Sequence, residues 1–417
     1  MGSRRRFALS SLLGLALALA CTPGGGDAES GESTDTETSA GTAETETGME
    51  TSADMGTGEP DPIDYQVAGP HPVGNLGFVL SDPDGLRPLT VELWFPASDE
   101  ASAEAAAGQS IEAFVAAEPE ASVFAALVAD APADCVRTQT ASALAPAIHP
   151  SSVFVSAAGR LPTVVFSHCH GCARFSSFSL AERLASHGFL VAAVDHAGST
   201  VFEQIAGSLP DLDAETLALR ATDVSRVIDL LLDPAASDLP ETFVGLADPD
   251  RLGVYGHSFG AVTTGKILQD DPRPKAGVAM AAPLENPILP GVEMANIDEP
   301  LMLFVAVEDN SITEFGNNAI RTNFGMANTP VWKLEFADTG HFAYSDLAGL
   351  SEHFEAGCGE GLRQTDGEPF TYSDPFEVRA LAAGRIAAFF ALYLLGDTDA
   401  RAQLEAADPA LSIDVRE

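Results

Sequence analysis

The chain has 417 residues and is strongly acidic, with 61 acidic against 21 basic residues and a formal net charge of −40 at pH 7. Nucleic acid, a polyanion that proteins hold mainly through lysine and arginine, is therefore not expected as a partner. Only 12 of the acidic residues lie in residues 21–64, so the acidity extends over the whole remaining chain.

The first 20 residues predict an export signal. Arginines at positions 4–6 precede an apolar stretch that ends in small residues before Cys21, and this stretch is too short and wrongly flanked for an ordinary transmembrane anchor. "LALAC" also resembles a bacterial lipobox, in which Cys21 is lipidated and tethers the protein to a membrane. We favour this cell-envelope lipoprotein because a flexible linker follows Cys21. Cleavage by an ordinary signal peptidase, giving a periplasmic or secreted protein, is the alternative.

Residues 21–64 form an acidic spacer of Ser, Thr, Gly, Glu and Asp with almost no apolar residues. Such a segment cannot bury enough surface to offset the entropy lost on ordering, so it is predicted to be disordered. It serves either as a stalk off a membrane surface or as a dispensable tail. The folded domain is predicted to occupy residues 65–417.

From residue 65 onward, apolar strands alternate with helical patterns. "GFVL" and "LTVELWFPA" predict an opening antiparallel pair. Later near-continuous apolar runs are typical of parallel strands buried on both faces; they cover 162–168, 187–196, 251–257, 275–283, 300–309 and 331–341. Helical patterns occur at 178–188 and 213–233, after Ser258, and at the end of the chain in 374–397. The alternation predicts the α/β class, with a mostly parallel, doubly wound sheet and flanking helices.

Residues 97–160 break this alternation. They are alanine-rich and partly helical in pattern, and then loop-like. We interpret them as an insertion in the N-terminal part of the domain. It forms either a lid over the site or a surface elaboration, and the sequence leaves both open.

The stretch "VYGHSFGA" at 254–261 predicts a nucleophile elbow. It has the pattern G-x-S-x-G, with an apolar strand before it and a helical pattern after it. Gly256 and Gly260 are expected because a side chain there would clash across the sharp turn. The turn would hold Ser258 at a strained backbone angle with its hydroxyl exposed.

A serine hydroxyl needs a base to take its proton and a carboxylate to orient that base. In this fold class the acid and the base follow the nucleophile along the chain, on loops after later strands. Asp309 and His341 stand at two such strand ends, in the required order. Ser258, Asp309 and His341 are therefore the predicted catalytic residues, with Glu308 and Asn310 as neighbours whose register the sequence does not fix.

The tetrahedral intermediate of acyl transfer needs two backbone N–H donors. Phe259, directly after the nucleophile, should supply one, and the loop "HCHGC" after an earlier strand should supply the other, through His170 or, as the second choice, Gly171. Phe166, Phe175 and Phe178 are candidates for an apolar acyl pocket. His196 ends a strand at the same edge and is a candidate for the lining of the pocket. His257, inside the elbow, is expected to point away from Ser258, and the other histidines are expected to be structural or exposed.

The cysteines of the same loop raise other interpretations. Cys169 and Cys172 form a C-x-x-C, as in thiol oxidoreductases, and the adjacent histidines make a metal site conceivable. Neither accounts for the serine, histidine and aspartate above, so no metal and no cofactor are predicted. In an oxidising compartment Cys135, Cys169, Cys172 and Cys358 would instead form two disulfides, whose pairing the sequence does not decide.

"PTVVFSHCHGCARF", the stretch that follows it, and "GHSFGA" resemble the α/β-hydrolase superfamily, in particular the group of platelet-activating factor acetylhydrolases and dienelactone hydrolases. "PLMLFVAVEDNSI" and "LEFADTGHFAYSD" also resemble bacterial cutinases and polyester hydrolases. The resemblance implies an α/β-hydrolase fold and a serine esterase, with Ser258, His341 and Phe259 in the roles given above. Where the acetylhydrolases place the acid, this chain has Ala281 and Ala282, so that the acid is expected at Asp309, as in the cutinases.

Together these observations predict an exported serine hydrolase that cleaves carboxylic esters through an acyl-enzyme. Its substrate would be a small-molecule or lipid ester, with a short acyl chain, a lipid or a polyester as the open choices. The oligomeric state is not predicted. Two alternatives belong to other classes: an inactive scaffold of this fold that binds a ligand at a cell surface, and a redox protein that uses Cys169 and Cys172.

Overall fold

The computed structural model describes most of the chain beyond the predicted spacer, namely residues 62–82, 87–98, 109–131, 140–141, 159–355, 357 and 359–417. The predicted export signal, Cys21 and nearly all of the spacer lie outside the described residues. So do Cys135, Cys358 and parts of the 97–160 insertion.

A nine-stranded sheet forms the centre of the domain. Its strands, numbered along the chain, are β1 (Val73–Leu80), β2 (Leu89–Pro96), β3 (Leu161–Ser167), β4 (Leu190–Val194), β5 (Ala247–His257), β6 (Ala276–Met280), β7 (Leu301–Ala306), β8 (Val331–Phe336) and β9 (Leu411–Arg416). Their spatial order is β1-β2-β4-β3-β5-β6-β7-β8-β9. Strands β3 to β8 are mutually parallel, whereas β1, β2 and β9 are antiparallel to their neighbours. The predicted doubly wound α/β sheet with its opening antiparallel pair is thus confirmed.

Helices cover both faces of this sheet. They are α1 (Glu120–Ala129), α2 (Phe178–Ser186), α3 (Val201–Ala206), α4 (Ala214–Leu232), α5 (Phe259–Asp270), α6 (Thr313–Met326), α7 (Pro375–Phe390) and α8 (Ala400–Leu404). Side chains alternate along each parallel strand between two apolar layers. One layer includes α2 and α7, and the other includes α4, α5 and α6. This two-sided burial explains why the strands are apolar at almost every position.

The prediction that the chain closes as a helix is wrong. Helix α7 continues into a π-helical turn, Ala391–Leu395, and is followed by α8 and by the edge strand β9, which pairs with β8. Within the described residues, Pro375–Leu395 is the one helix long and apolar enough to cross a membrane. Most of it is buried inside the domain, as is typical of a core helix.

The described part of the insertion packs into the domain core. Phe114 and Phe124 are buried, and their rings lie 5.1 Å and 5.3 Å from that of Phe175. Phe178 also contacts Phe114. Phe166, Phe175 and Phe178 are thus core residues, at most 2% exposed, rather than the acyl pocket for which they were considered.

Candidate active site

Ser258 lies in a sharp turn between β5 and α5, as the elbow prediction requires. Its backbone has φ +57° and ψ −122°, a conformation that side chains rarely adopt. A Cβ on Gly256 would lie 2.1 Å from the Gly260 carbonyl oxygen, and a Cβ on Gly260 would lie 1.9 Å from the Ser167 carbonyl oxygen. Both glycines are therefore needed for the turn, and Ser258 stands at the N-terminus of α5.

Ser258, His341 and Asp309 form a continuous hydrogen-bonded chain, which we call the candidate triad. Ser258 Oγ is 2.9 Å from His341 Nε2, and His341 Nδ1 is 2.7 Å from Asp309 Oδ2. His341 and Asp309 are buried, whereas Ser258 is partly exposed. This arrangement lets Asp309 hold the imidazole with Nε2 free to accept the serine proton.

The loop after β7 fixes which of its polar residues faces His341. Asp309 Oδ1 accepts the backbone N–H groups of Ser311 and Ile312, both at 2.8 Å. Glu308 points elsewhere and accepts from Arg363 Nη1 at 3.0 Å. Asn310 Oδ1 accepts the backbone N–H of His341 at 3.2 Å. Asn310 therefore holds the backbone of His341, while Asp309 contacts its ring.

His257 forms a hydrogen bond with the backbone of His341. It points away from Ser258, as expected, and its Nε2 donates to the carbonyl oxygen of His341 at 2.8 Å. Burial, followed by the nearby His341, lowers the pKa of His257 to about 3. His257 is therefore neutral at pH 7, and its role here is to hold the His341 backbone.

The loop between β3 and α2 carries the second predicted oxyanion donor and is closed by a disulfide. Cys169 and Cys172 are bonded to each other and are 1% and 0% exposed. The N–H of Gly171 donates to Ser199 O at 3.2 Å, and the Cys172 carbonyl accepts from Val201 at 2.6 Å. Within the described part of the chain, no protein acceptor takes the backbone N–H of His170 or of Phe259. Both predicted donors are thus left free for a ligand.

The side chains of this loop do not favour redox or metal chemistry. A bonded and buried Cys169 has no exposed thiolate to react. Both ring nitrogens of His168 are engaged, one with the Cys169 carbonyl at 2.6 Å and the other with the His196 N–H at 3.0 Å. His170 Nε2 donates to Pro210 O at 2.9 Å. Among the described residues, no group of three histidine, cysteine or acidic side chains could hold a metal ion.

A second set of serine, histidine and aspartate lies beneath the loop, and we call it the buried relay. Ser167 Oγ is 2.8 Å from His196 Nε2, and His196 Nδ1 is 2.9 Å from Asp223 Oδ2. All three are at most 2% exposed. His196 thus lies in the interior, which corrects the expectation that it lines the pocket.

Burial and the neighbouring arginines together set the charge of the buried relay. Arg87 donates to both carboxylate oxygens of Asp223, at 2.9 Å for the Nη2–Oδ2 pair. Burial, followed by the charges of Arg220 and Arg87, lowers the pKa of His196 well below its usual range. Burial raises the pKa of Asp223 to about 6 despite these arginines. At pH 7 His196 is therefore neutral and Asp223 is ionised.

Arg220 and Asp223 are the site residues that sequence reasoning missed. They lie three positions apart on the amphipathic helix α4, where a charged pair ordinarily indicates a solvent-facing stripe. Here both are buried, at 1% and 0% exposure. The signal that could have found them is their place on the apolar face, beside Leu217 and Val224.

Similar proteins were found by sequence and by structure. Residues 63–206 match the family model of platelet-activating factor acetylhydrolase, isoform II. The platelet-activating factor acetylhydrolase of Bos taurus is 31% identical over 156 residues, covering 30% of this chain and 35% of the relative. That of Canis lupus familiaris is 30% identical over 165 residues, covering 31% and 37%. The predicted resemblance to this group is confirmed over residues 63–206. The chain spans little more than a third of the length of these relatives.

A ferulic acid esterase from Streptomyces cinnamoneus has a similar structure, with a TM-score of 0.56 and 21% identity. The match covers 82% of this chain and 96% of the esterase chain. It establishes the α/β-hydrolase fold. The sequence match at 63–206 includes the loop around His170 but ends before the candidate triad, so the roles of the triad residues rest on the geometry above.

Proposed function

We propose that this protein is a cofactor-free serine hydrolase that cleaves carboxylic esters. The observation that carries the proposal is the chain Ser258–His341–Asp309, built on a strained turn with the serine partly exposed. Similarity to acetylhydrolases and the fold shared with an esterase support the choice of an ester over other acyl compounds.

In the proposed reaction, Ser258 Oγ attacks the ester carbonyl while His341 Nε2 takes the serine proton. The N–H groups of Phe259 and His170 stabilise the negative charge that develops on the carbonyl oxygen. His341 then passes its proton to the leaving alcohol, and an acyl-Ser258 remains. Water attacks this acyl group, His341 takes the proton of the water, and the carboxylic acid product and free Ser258 result.

The proposed substrates are small or lipid esters with short acyl groups. The named acetylhydrolase relatives favour an acetyl-sized group, and the buried Phe166, Phe175 and Phe178 do not offer an acyl pocket. We expect p-nitrophenyl acetate and butyrate to be hydrolysed faster than the octanoate. A profile that rises toward octanoate would contradict this choice.

Labelling with a fluorophosphonate tests the nucleophile directly. We expect one adduct, mapped by peptide mass to Ser258, together with loss of all esterase activity. Heat-unfolded protein serves as the control and should remain unlabelled. Folded protein that is neither labelled nor active would favour the ligand-binding scaffold instead.

We also propose that the protein is exported and tethered through a lipid on Cys21, because Cys21 follows the apolar run directly. In a bacterial host, the protein should fractionate with membranes, and its N-terminal peptide should carry the mass of a lipid. The Cys21→Ala variant should move to the soluble envelope fraction. An unchanged membrane fraction for that variant would contradict the tether.

A further inference from the structure

Arg220 is a buried arginine with contacts to both sides of the candidate oxyanion site. It lies in α4 and is 1% exposed. Its Nη2 donates to the carbonyl oxygen of His168, its Nη1 to Ser199 Oγ at 3.1 Å, and its Nε to Thr263 Oγ1 at 3.3 Å. The guanidinium thus reaches the loop after β3, the loop after β4 and helix α5.

Two of these contacts act on the loop that carries His170. The His168 carbonyl lies directly before the Cys169–Cys172 disulfide, which encloses His170 and Gly171. Ser199 contributes twice, since its hydroxyl accepts from Arg220 while its carbonyl accepts the N–H of Gly171 at 3.2 Å. The arginine therefore fixes the loop on both flanks of the His170 N–H.

The remaining contacts act on Phe259. The guanidinium carbon of Arg220 lies 4.7 Å from the centre of the Phe259 ring, which is cation–π distance. Thr263 Oγ1, which accepts from Arg220, donates to the Phe259 carbonyl at 3.0 Å. The first turn of α5, with the Phe259 N–H, is thus tied to the same side chain.

The charge of Arg220 is retained although it is buried. Burial lowers its pKa to about 9, and Asp223, on the same helix, opposes this shift. At pH 7 the guanidinium is therefore still protonated, with all of its donors available. The planar guanidinium donates to its three acceptors from three different nitrogens, whereas the donors of a lysine ammonium all leave from one nitrogen.

We propose that Arg220 is the positioning residue of the oxyanion hole, because it holds the loop of His170 and the helix turn of Phe259 at one fixed separation. This inference rests on the proposed function. Arg220 is not proposed to touch the substrate. It acts through the backbone N–H groups of His170 and Phe259.

The test measures kcat and KM for p-nitrophenyl butyrate in the full-length chain and in Arg220→Met and Arg220→Lys. Active sites are counted by fluorophosphonate titration, so that kcat refers to folded sites only. We expect kcat of Arg220→Met to fall by about 10- to 100-fold with KM within about twofold, since donors misplaced by an ångström lose most of their effect. Arg220→Lys should recover only part of this loss.

Arg385→Met is the matched control. Arg385 is also buried, at 3% exposure, but it donates to Ala406 O at 2.7 Å and has no described contact with the loop or with α5. This variant should lose stability while keeping kcat per titrated site. A trifluoromethyl ketone, which forms a tetrahedral adduct on the serine, should bind Arg220→Met more weakly by the same factor as kcat/KM falls.

The outcomes separate the two proposals. A wild-type protein with no esterase activity contradicts the proposed function itself. If the wild type is active and the Arg220→Met variant folds, a variant kcat within threefold of the wild-type kcat overturns the role of Arg220. If Arg220→Met does not fold, the Thr263→Val variant tests the inference instead. This substitution removes the hydroxyl that accepts from Arg220 and donates to the Phe259 carbonyl. Its kcat should fall by about fivefold, and an unchanged kcat overturns the inference.

Discussion

The candidate triad and the buried relay have nearly the same hydrogen-bond geometry. The serine–histidine distances are 2.9 Å and 2.8 Å, and the histidine–aspartate distances are 2.7 Å and 2.9 Å. In each set the histidine uses Nε2 toward the serine and Nδ1 toward the carboxylate. Distances within a set therefore do not distinguish a site of chemistry from a structural network.

What differs is the surroundings of the two serines. Ser258 lies on a strained turn, is partly exposed and is followed by an N–H with no protein acceptor in the described residues. Ser167 lies at the end of a regular strand and is 2% exposed. A partly exposed serine on a strained turn is the feature that the buried relay lacks.

The largest expected contrast comes from removing each serine hydroxyl. Ser258→Ala should lower kcat by at least about three orders of magnitude, as loss of a triad nucleophile does. Ser167→Ala should leave kcat within about threefold, because a hydroxyl that no substrate reaches can only affect positioning. Hydrolysis of p-nitrophenyl butyrate measures both. Equal losses in the two variants would show that the exposure of Ser258 does not distinguish the candidate triad from the buried relay.

Replacing Asp309 should mainly lower kcat, whereas replacing Asp223 should mainly lower the free energy of unfolding. Asp309→Asn should lower kcat by about 10³- to 10⁴-fold, because an amide favours the wrong imidazole tautomer. Asp223→Asn should instead lower the free energy of unfolding by about 3 kcal/mol, since it leaves arginines without their buried counter-charge. Urea unfolding and kinetics on the same preparations separate these effects. A stable Asp223→Asn protein would show that Arg87 and Arg220 do not need the charge.

His257 links the candidate triad to pH-dependent stability. The unfolded chain binds a proton at this histidine near pH 6.5, whereas the native state does so only near pH 3. Acidification through this window therefore favours unfolding, by about 1.4 kcal/mol per pH unit for this one group. The unfolding free energy of His257→Gln should fall less steeply between pH 6.5 and pH 4 than that of the wild type. Parallel curves would show that His257 is already protonated in the native state.

The smallest expected effect is that of a reductant on the native protein. The Cys169–Cys172 disulfide follows Ser167 in the chain and is almost fully buried. Because a thiolate must reach a sulfur to exchange with it, millimolar dithiothreitol should change activity by less than about twofold. Alkylation and peptide mapping should find free Cys169 only after unfolding. Rapid inactivation would show that the loop opens.

Much of this architecture was predictable because its signals are local. The parallel strands are buried on both faces, so their sequences are apolar throughout, as in the runs that became β5 and β7. The turn at Ser258 needs glycines at fixed spacing, since each Cβ would meet backbone atoms. Asp309 and His341 follow strands directly, so that the strand prediction also placed them at one edge of the sheet.

What was missed depends on contacts distant in the chain. The edge strand β9 is half exposed, so its alternating residues carry a weak apolar signal. The burial of Arg220 depends on the His168 carbonyl, 52 residues earlier in the chain, and on Thr263, 43 residues later. No local pattern indicates such acceptors. The same holds for His196, whose partners come from two other elements.

The described part of the insertion, residues 109–131, is an integral part of the domain core and cannot be removed or replaced without changing that core. Arg174 donates to the Phe114 carbonyl at 2.6 Å while it also pairs with the buried carboxylates of Glu92 and Asp195. Excising residues 109–131 would take one acceptor from this arginine and expose the ring of Phe175 to water. A shortened protein would therefore require redesign of the core first, and natural variation in this segment should be tied to variation at positions 174 and 175.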